Sequence, residues 1–146
     1  MRMFVPFTGD DEVLRIGRGL LDRTLPKAEW THAAHFSAAL WLLTDRPLDE
    51  VAAMMPGAIR AYNQASGVMN TDSSGYHETI TLASLRAAVD FLARSPRLAL
   101  FERCNELMRS ELGEPGWLFR YWTRERLFSV AARRAWVEPD VEELPF

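Results

Sequence analysis

Apolar residues recur along this chain mostly at spacings of three and four, which is the pattern of amphipathic α-helices. No convincing run alternates apolar and polar residues, and no Asn-Gly or Asp-Gly pair marks a β-hairpin turn. The pattern therefore predicts an all-α fold. We expect a single compact bundle of five to six helices that forms one domain over residues 1–146.

The predicted helices are separated by prolines, by capping residues and by one polar loop at residues 66–75. They cover residues 11–23, a second stretch that begins between Lys27 and His32 and ends near Asp45, and residues 48–65, 76–95 and 97–112. Thr31 is one candidate N-cap of the second helix. Pro56 is expected to bend or split the third helix, and Pro96 marks the break between the fourth and the fifth.

Composition and charge narrow the class of protein. With 48% hydrophobic and 25% charged residues, the 146-residue chain has the profile of a folded domain. A net charge of −3 gives no general attraction to polyanions, so we expect no nucleic-acid partner. No apolar run reaches the length of a secretory signal or a membrane span, so we expect a cytoplasmic protein without a membrane partner. Cys104 is the only cysteine, which excludes an internal disulfide and a thiolate metal cluster.

All three histidines lie where predicted helices begin. At about 100° per residue, His32 and His35 both fall on the apolar face of the second helix. Glu78 lies at the centre of the apolar stripe of the fourth helix, and His77 lies one step away. That stripe is formed by Leu82, Leu85, Val89 and Leu92. An ionised carboxylate in such a setting is costly unless it is paired, hydrogen-bonded or bound to a cation.

If the two helix starts meet at one end of the bundle, three neutral imidazoles and one carboxylate converge in an apolar shell. Such a cluster predicts a site for a divalent metal (Zn, Fe, Mn or Ni) or for a small polar ligand. Glu78 would be a fourth ligand or a general base acting on a bound water, and metal-assisted hydrolysis is the matching reaction class. Tyr76 and Arg126 are further candidates for orienting a ligand. The predicted metal ligands are His32, His35, His77 and Glu78.

Two other interpretations of the same residues stay open. In the first, the histidines form a purely structural cluster that hydrogen-bonds and caps two helices; in the second, they line a metal-free binding pocket. In the first case the chain would be a non-enzymatic interaction or ligand-sensing domain.

Residues 117–129 interleave aromatic residues with arginines. Such a segment can hold a carboxylate or a phosphate, because arginine offers a planar fork of donors and the rings exclude water. The favoured interpretation is that the aromatic side chains anchor the tail of the chain to the helices, with arginines stacked over rings at the surface.

Four segments carry a resemblance that spans residues 25–140. They are residues 25–35, 75–81, 121–129 and 136–140, with the motifs WTHAAH, GYHETIT and RERLFS. Together they resemble a family of small bacterial helical proteins to which no activity is attached. The resemblance implies a small helical protein and no particular chemistry.

Overall fold

The computed structural model describes residues 4–95 and 97–146, and within these ranges the chain is helical without a strand. It has seven α-helices: α1 Asp10–Asp22, α2 His32–Asp45, α3 Leu48–Ala65, α4 Glu78–Arg94, α5 Leu100–Arg109, α6 Arg124–Leu127 and α7 Val130–Arg134. Three short 3-10 segments cover Lys27–Glu29, Glu111–Gly113 and Trp117–Arg120. The all-α prediction is confirmed. The predicted count of five to six helices is slightly low, because the C-terminal segment contains two short α-helices.

The helix ends follow local capping chemistry where the sequence offers it. Thr31 is the N-cap of α2, and its side chain accepts a hydrogen bond from the Ala34 N–H, as predicted. The third helix is continuous through Pro56, so of the two predicted effects, a bend or a split, the split is wrong. Pro56 removes one backbone hydrogen bond, but Met55 and Ile59 on either side of it are both buried and hold the helix together.

The fifth helix is shorter than the sequence pattern indicates. It begins at Leu100 rather than near residue 97, and a separate 3-10 turn follows from Glu111 to Gly113. At the break, the backbone of Ser110 is extended, and its side chain accepts a hydrogen bond from the Leu112 N–H. Pro96 and Met1–Met3 lie outside the described residues, so the predicted break at Pro96 and the start of the chain are not described.

Helix α2 lies at the centre of the packing and contacts α1, α3, α4 and α5. Its residues Leu40 and Leu42 are fully buried, and each such side chain contributes about 1.5–3 kcal/mol to stability. Gly17 of α1 lies directly against Trp41 of α2, and a Cβ at that glycine would be only 2.1 Å from the indole ring. The glycine therefore allows α1 and α2 to approach closely.

Helix α4 buries a different face from the one that its leucines indicate. Of the four residues in the predicted stripe only Leu85 is fully buried, while the small residues Thr79, Ala83 and Ala87 are buried as well. The reason is that α4 contacts α2 and α3 and is also covered by α7 from the C-terminal segment. Small side chains allow these elements to pack closely on α4.

The C-terminal segment is anchored as the favoured interpretation of its aromatic residues predicted. Trp117, Tyr121 and Trp122 are buried, and the Trp122 indole donates a hydrogen bond to the Val137 carbonyl at 3.1 Å. Arginines stack over rings, with the Arg86 guanidinium 4.2 Å from the Trp136 ring centroid. Phe128 differs from the prediction, since 46% of its surface is exposed.

Candidate functional site

The first turn of α2 presents two histidines whose ring orientations are fixed by backbone carbonyls. The Nε2–H of His32 donates to the Leu112 carbonyl at 2.8 Å, and the Nδ1–H of His35 donates to the Thr31 carbonyl at 2.7 Å. The Trp30 ring lies over the His35 ring with a centroid distance of 3.9 Å. Both imidazoles are therefore held in one orientation before any ligand arrives.

These two histidines line a cavity of about 320 Å³ between α2, α3, α4 and the segment around Trp117. Most of its wall is apolar, formed by Phe36, Ala39, Met55, Ile59, Ile80, Leu85, Pro115, Trp117 and Leu118. The polar groups are the two imidazoles on one side and the hydroxyls of Thr81 and Ser84 on α4. The cavity thus combines an apolar interior with a few fixed polar groups, which is typical of small-molecule sites.

His35 is neutral at physiological pH. The surrounding protein removes water from the ring and lowers the pKa of His35 to about 4, with a smaller contribution from neighbouring His32, although the bond to Thr31 acts in the opposite direction. The ring is nonetheless exposed, and it lines the cavity. Because Nδ1 carries the proton that is donated to Thr31, Nε2 of the neutral ring has a lone pair. Among the described residues, no protein group hydrogen-bonds this atom.

His77 has the opposite character. It is the N-cap of α4, where its Nδ1 accepts the Ile80 N–H at 3.1 Å, and its Nε2–H donates to the Leu127 carbonyl at 2.6 Å. The side chain is buried, and burial lowers the pKa of His77 below its ordinary value. Both ring nitrogens are occupied by backbone groups, so neither is available to a ligand in this conformation.

Glu78 is stabilised by a hydrogen bond rather than by a cation. The Tyr76 hydroxyl donates to its Oε1 at 2.5 Å. Tyr76 itself is buried, and burial together with this carboxylate raises the pKa of its hydroxyl. Glu78 is half-buried and does not line the cavity.

The structure therefore brings together only part of the predicted site. His32 and His35 line the cavity, whereas His77 and Glu78 do not. Within residues 4–95 and 97–146, no group of three or more His, Cys, Asp or Glu side chains is arranged to hold a metal ion. The four residues thus do not fit a four-ligand metal centre as they are placed here. The physical reason is that backbone groups from distant segments occupy the nitrogens of His77.

The two further ligand-orienting candidates also lie away from the cavity. Tyr76 bonds to Glu78 and lines a separate polar pocket. Arg126 is exposed, and its Nε donates to the Glu138 carbonyl at 2.6 Å, which ties α6 to the C-terminal segment.

Several residues of the cavity were not found from the sequence. Trp30 positions His35, and Thr81 and Ser84 supply hydroxyls from α4. One local signal was available, because Thr81 and Ser84 are three residues apart and so share a helix face, as His32 and His35 do. That the two pairs line the same cavity depends on how α2 and α4 pack.

Cys104 is a core residue of α5, as predicted. It is buried, and burial raises the pKa of its thiol to about 12.

No helix in the described part of the chain combines the length and the apolar character needed to cross a membrane. No protein-family model matches the chain, and no curated protein or solved structure matches it either.

Proposed function

We propose that this protein binds a small molecule in the cavity between α2, α3 and α4, with Nε2 of His35 accepting a hydrogen bond from the ligand. The observation that carries the proposal is a neutral, oriented imidazole that lines an apolar cavity and whose Nε2 has no hydrogen bond to a described residue. The lone pair of Nε2 is an acceptor without a protein partner, and a hydroxyl or N–H of a ligand in the cavity would pair with it.

The cavity also limits the chemistry of the ligand. Its volume of about 320 Å³ is at the small end of the range for small-molecule sites. The wall contains no Asp, Glu, Lys or Arg side chain that could pair with a charged group of a ligand. We therefore propose an uncharged ligand with an apolar body and at least one hydroxyl or N–H group, which pairs with His35 while Thr81 and Ser84 offer further hydrogen bonds.

The geometry favours binding over acid–base catalysis. A general base works best when its pKa lies near the operating pH, and His35, with a pKa of about 4, is a weak base at neutral pH. Glu78, the base proposed from the sequence, is bonded to Tyr76 outside the cavity wall. A ligand-sensing domain in which His32 and His77 act structurally is therefore the function that we propose. We propose that this ligand-sensing domain is compact, covers residues 1–146 and is located in the cytoplasm.

Binding of a divalent metal is the second candidate function, because Nε2 of His35 is a nitrogen ligand without a hydrogen bond to a described residue. Elemental analysis of protein purified without an affinity tag would test it. Near-stoichiometric Zn, Fe, Mn or Ni, lost in a His35→Asn variant, would support a metal centre. Metal-free protein whose thermal stability is indifferent to added metals and chelators would contradict it.

The binding proposal is tested with a panel of small uncharged phenols, alcohols and amides, monitored by ligand-observed NMR. We expect binding to the natural chain and loss of about tenfold or more in affinity in His35→Asn, because asparagine retains a donor to Thr31 but has no atom at the position of Nε2. His35→Gln places an amide near that position and should restore part of the affinity.

A second pair of variants tests the location. Ser84→Leu fills the cavity from α4 and should abolish binding, whereas Ala93→Leu adds a leucine to an exposed position of the same helix and should leave binding unchanged. The proposal is overturned if no member of the panel binds, or if binding survives in Ser84→Leu.

A further inference from the structure

A second, polar pocket lies on another side of the molecule, at the junction of α3, the polar loop and α7. It has a volume of about 210 Å³ and shares no lining residue with the cavity at His35. Three arginines line it: Arg60 from α3, and Arg133 and Arg134 from α7. Asp72 of the loop is the only carboxylate in its lining.

Only one of these arginines is neutralised by the protein. Arg134 forms two parallel bonds with Asp72, from Nε at 2.8 Å and from Nη2 at 2.7 Å. Neither Arg60 nor Arg133 forms an ion pair with any carboxylate among the described residues. The lining therefore carries an excess of two positive charges.

Contacts with the protein orient the two remaining guanidinium groups, although Arg60 is exposed. Nη1 of Arg133 donates to the carbonyls of Gly75 and Tyr76, at 3.1 and 3.3 Å. Its Nε is buried without a hydrogen-bond partner. Arg60 lies over the Tyr76 ring, with its Cζ 4.4 Å from the centroid. Two cations that line one small pocket both contribute a positive potential there, and this potential attracts an anion.

We propose that this pocket binds a doubly charged oxyanion, either inorganic phosphate or the phosphate group of a small ester, between Arg60 and Arg133. Planar guanidinium groups suit the oxygens of phosphate, which accept two donors from each fork. Two uncompensated charges match a dianion better than a single carboxylate. The pocket volume is large enough for a phosphate group.

The test is a calorimetric titration of the 146-residue chain with inorganic phosphate and with methyl phosphate, at constant ionic strength set with chloride. We expect saturable binding with a Kd on the order of 1 mM or tighter. Arg60→Gln should weaken it about tenfold or more, because a charged hydrogen bond is lost. Arg109→Gln is the matched control: it removes the same charge from an exposed ion pair on α5, outside the pocket, and should leave the affinity unchanged.

Asp72→Asn is expected to change the affinity for phosphate in the opposite direction, and a misfolded variant would not bind phosphate more tightly. The substitution removes the carboxylate that occupies Arg134, so phosphate should bind a few-fold more tightly. Comparable binding of methyl phosphate would identify an ester group as a ligand, and binding of inorganic phosphate alone would identify the free ion. Absence of saturable binding by either compound, or equal weakening in Arg60→Gln and Arg109→Gln, overturns the proposal.

Discussion

His35 and His77 have similar positions in the sequence but differ in the hydrogen-bond partners that tertiary packing brings to their rings. Each belongs to the start of a helix, and the surrounding protein lowers the pKa of each ring, although His77 is buried and His35 is exposed. Both nitrogens of His77 are bonded to backbone groups, one of them contributed by Leu127, fifty residues away. His35 uses only Nδ1, its Nε2 has no hydrogen bond to a described residue, and the side chain lines a cavity. A histidine at a helix start is thus a structural cap or a binding group according to what reaches its second nitrogen.

The largest expected effect is on His77. His77→Ala removes the cap of α4 and leaves the Leu127 carbonyl without its donor, so we expect a loss of about 2–4 kcal/mol in the free energy of unfolding. Urea denaturation measures it. His77→Asn should lose less, because asparagine is a good N-cap but is too short to reach Leu127. If His77→Ala unfolds at the same urea concentration as the natural chain, the structural role assigned to His77 is wrong.

A smaller loss in the free energy of unfolding is expected for a substitution at the start of α2. Thr31→Ala removes the side-chain cap of α2 but keeps the backbone carbonyl that orients His35, so the expected loss is about 1 kcal/mol. The measurement is again urea denaturation, with Thr31→Ser as the control that restores the hydroxyl. A loss as large as that of His77→Ala would mean that the two helix starts are not as different as their bonds indicate.

The smallest expected effect is on the pH dependence of stability. The unfolded chain protonates His35 near pH 6.5, whereas the folded ring takes a proton only near pH 4. The contribution of His35 is therefore complete above pH 6.5 and is lost as the pH falls toward 4. We expect His35→Asn to have a shallower decline in melting temperature between pH 7 and pH 5 than the natural chain. Identical slopes would show that His35 is solvated as it is in the unfolded state.

Sequence pattern was sufficient for the local structure of this protein. The all-α class, the start of α2 at its Thr31 cap and the extent of α3 follow from residues close together in the chain. These features depend on helical spacing and on hydrogen bonds within one turn, which neighbouring residues specify. The shared helix face of His32 and His35, which both line the cavity, was predictable for the same reason.

The availability of each polar group was decided only by tertiary structure. The bond from His77 to Leu127, and the meeting of Arg60 with Arg133, join segments separated by fifty residues or more. The sequence gives each side chain its hydrogen-bonding capacity, but not the partner that uses it. In the folded chain, both nitrogens of His77 have backbone partners, whereas one nitrogen of His35 has none among the described residues. The reason is that a polar group can bond only to the donors and acceptors that packing brings within hydrogen-bond distance.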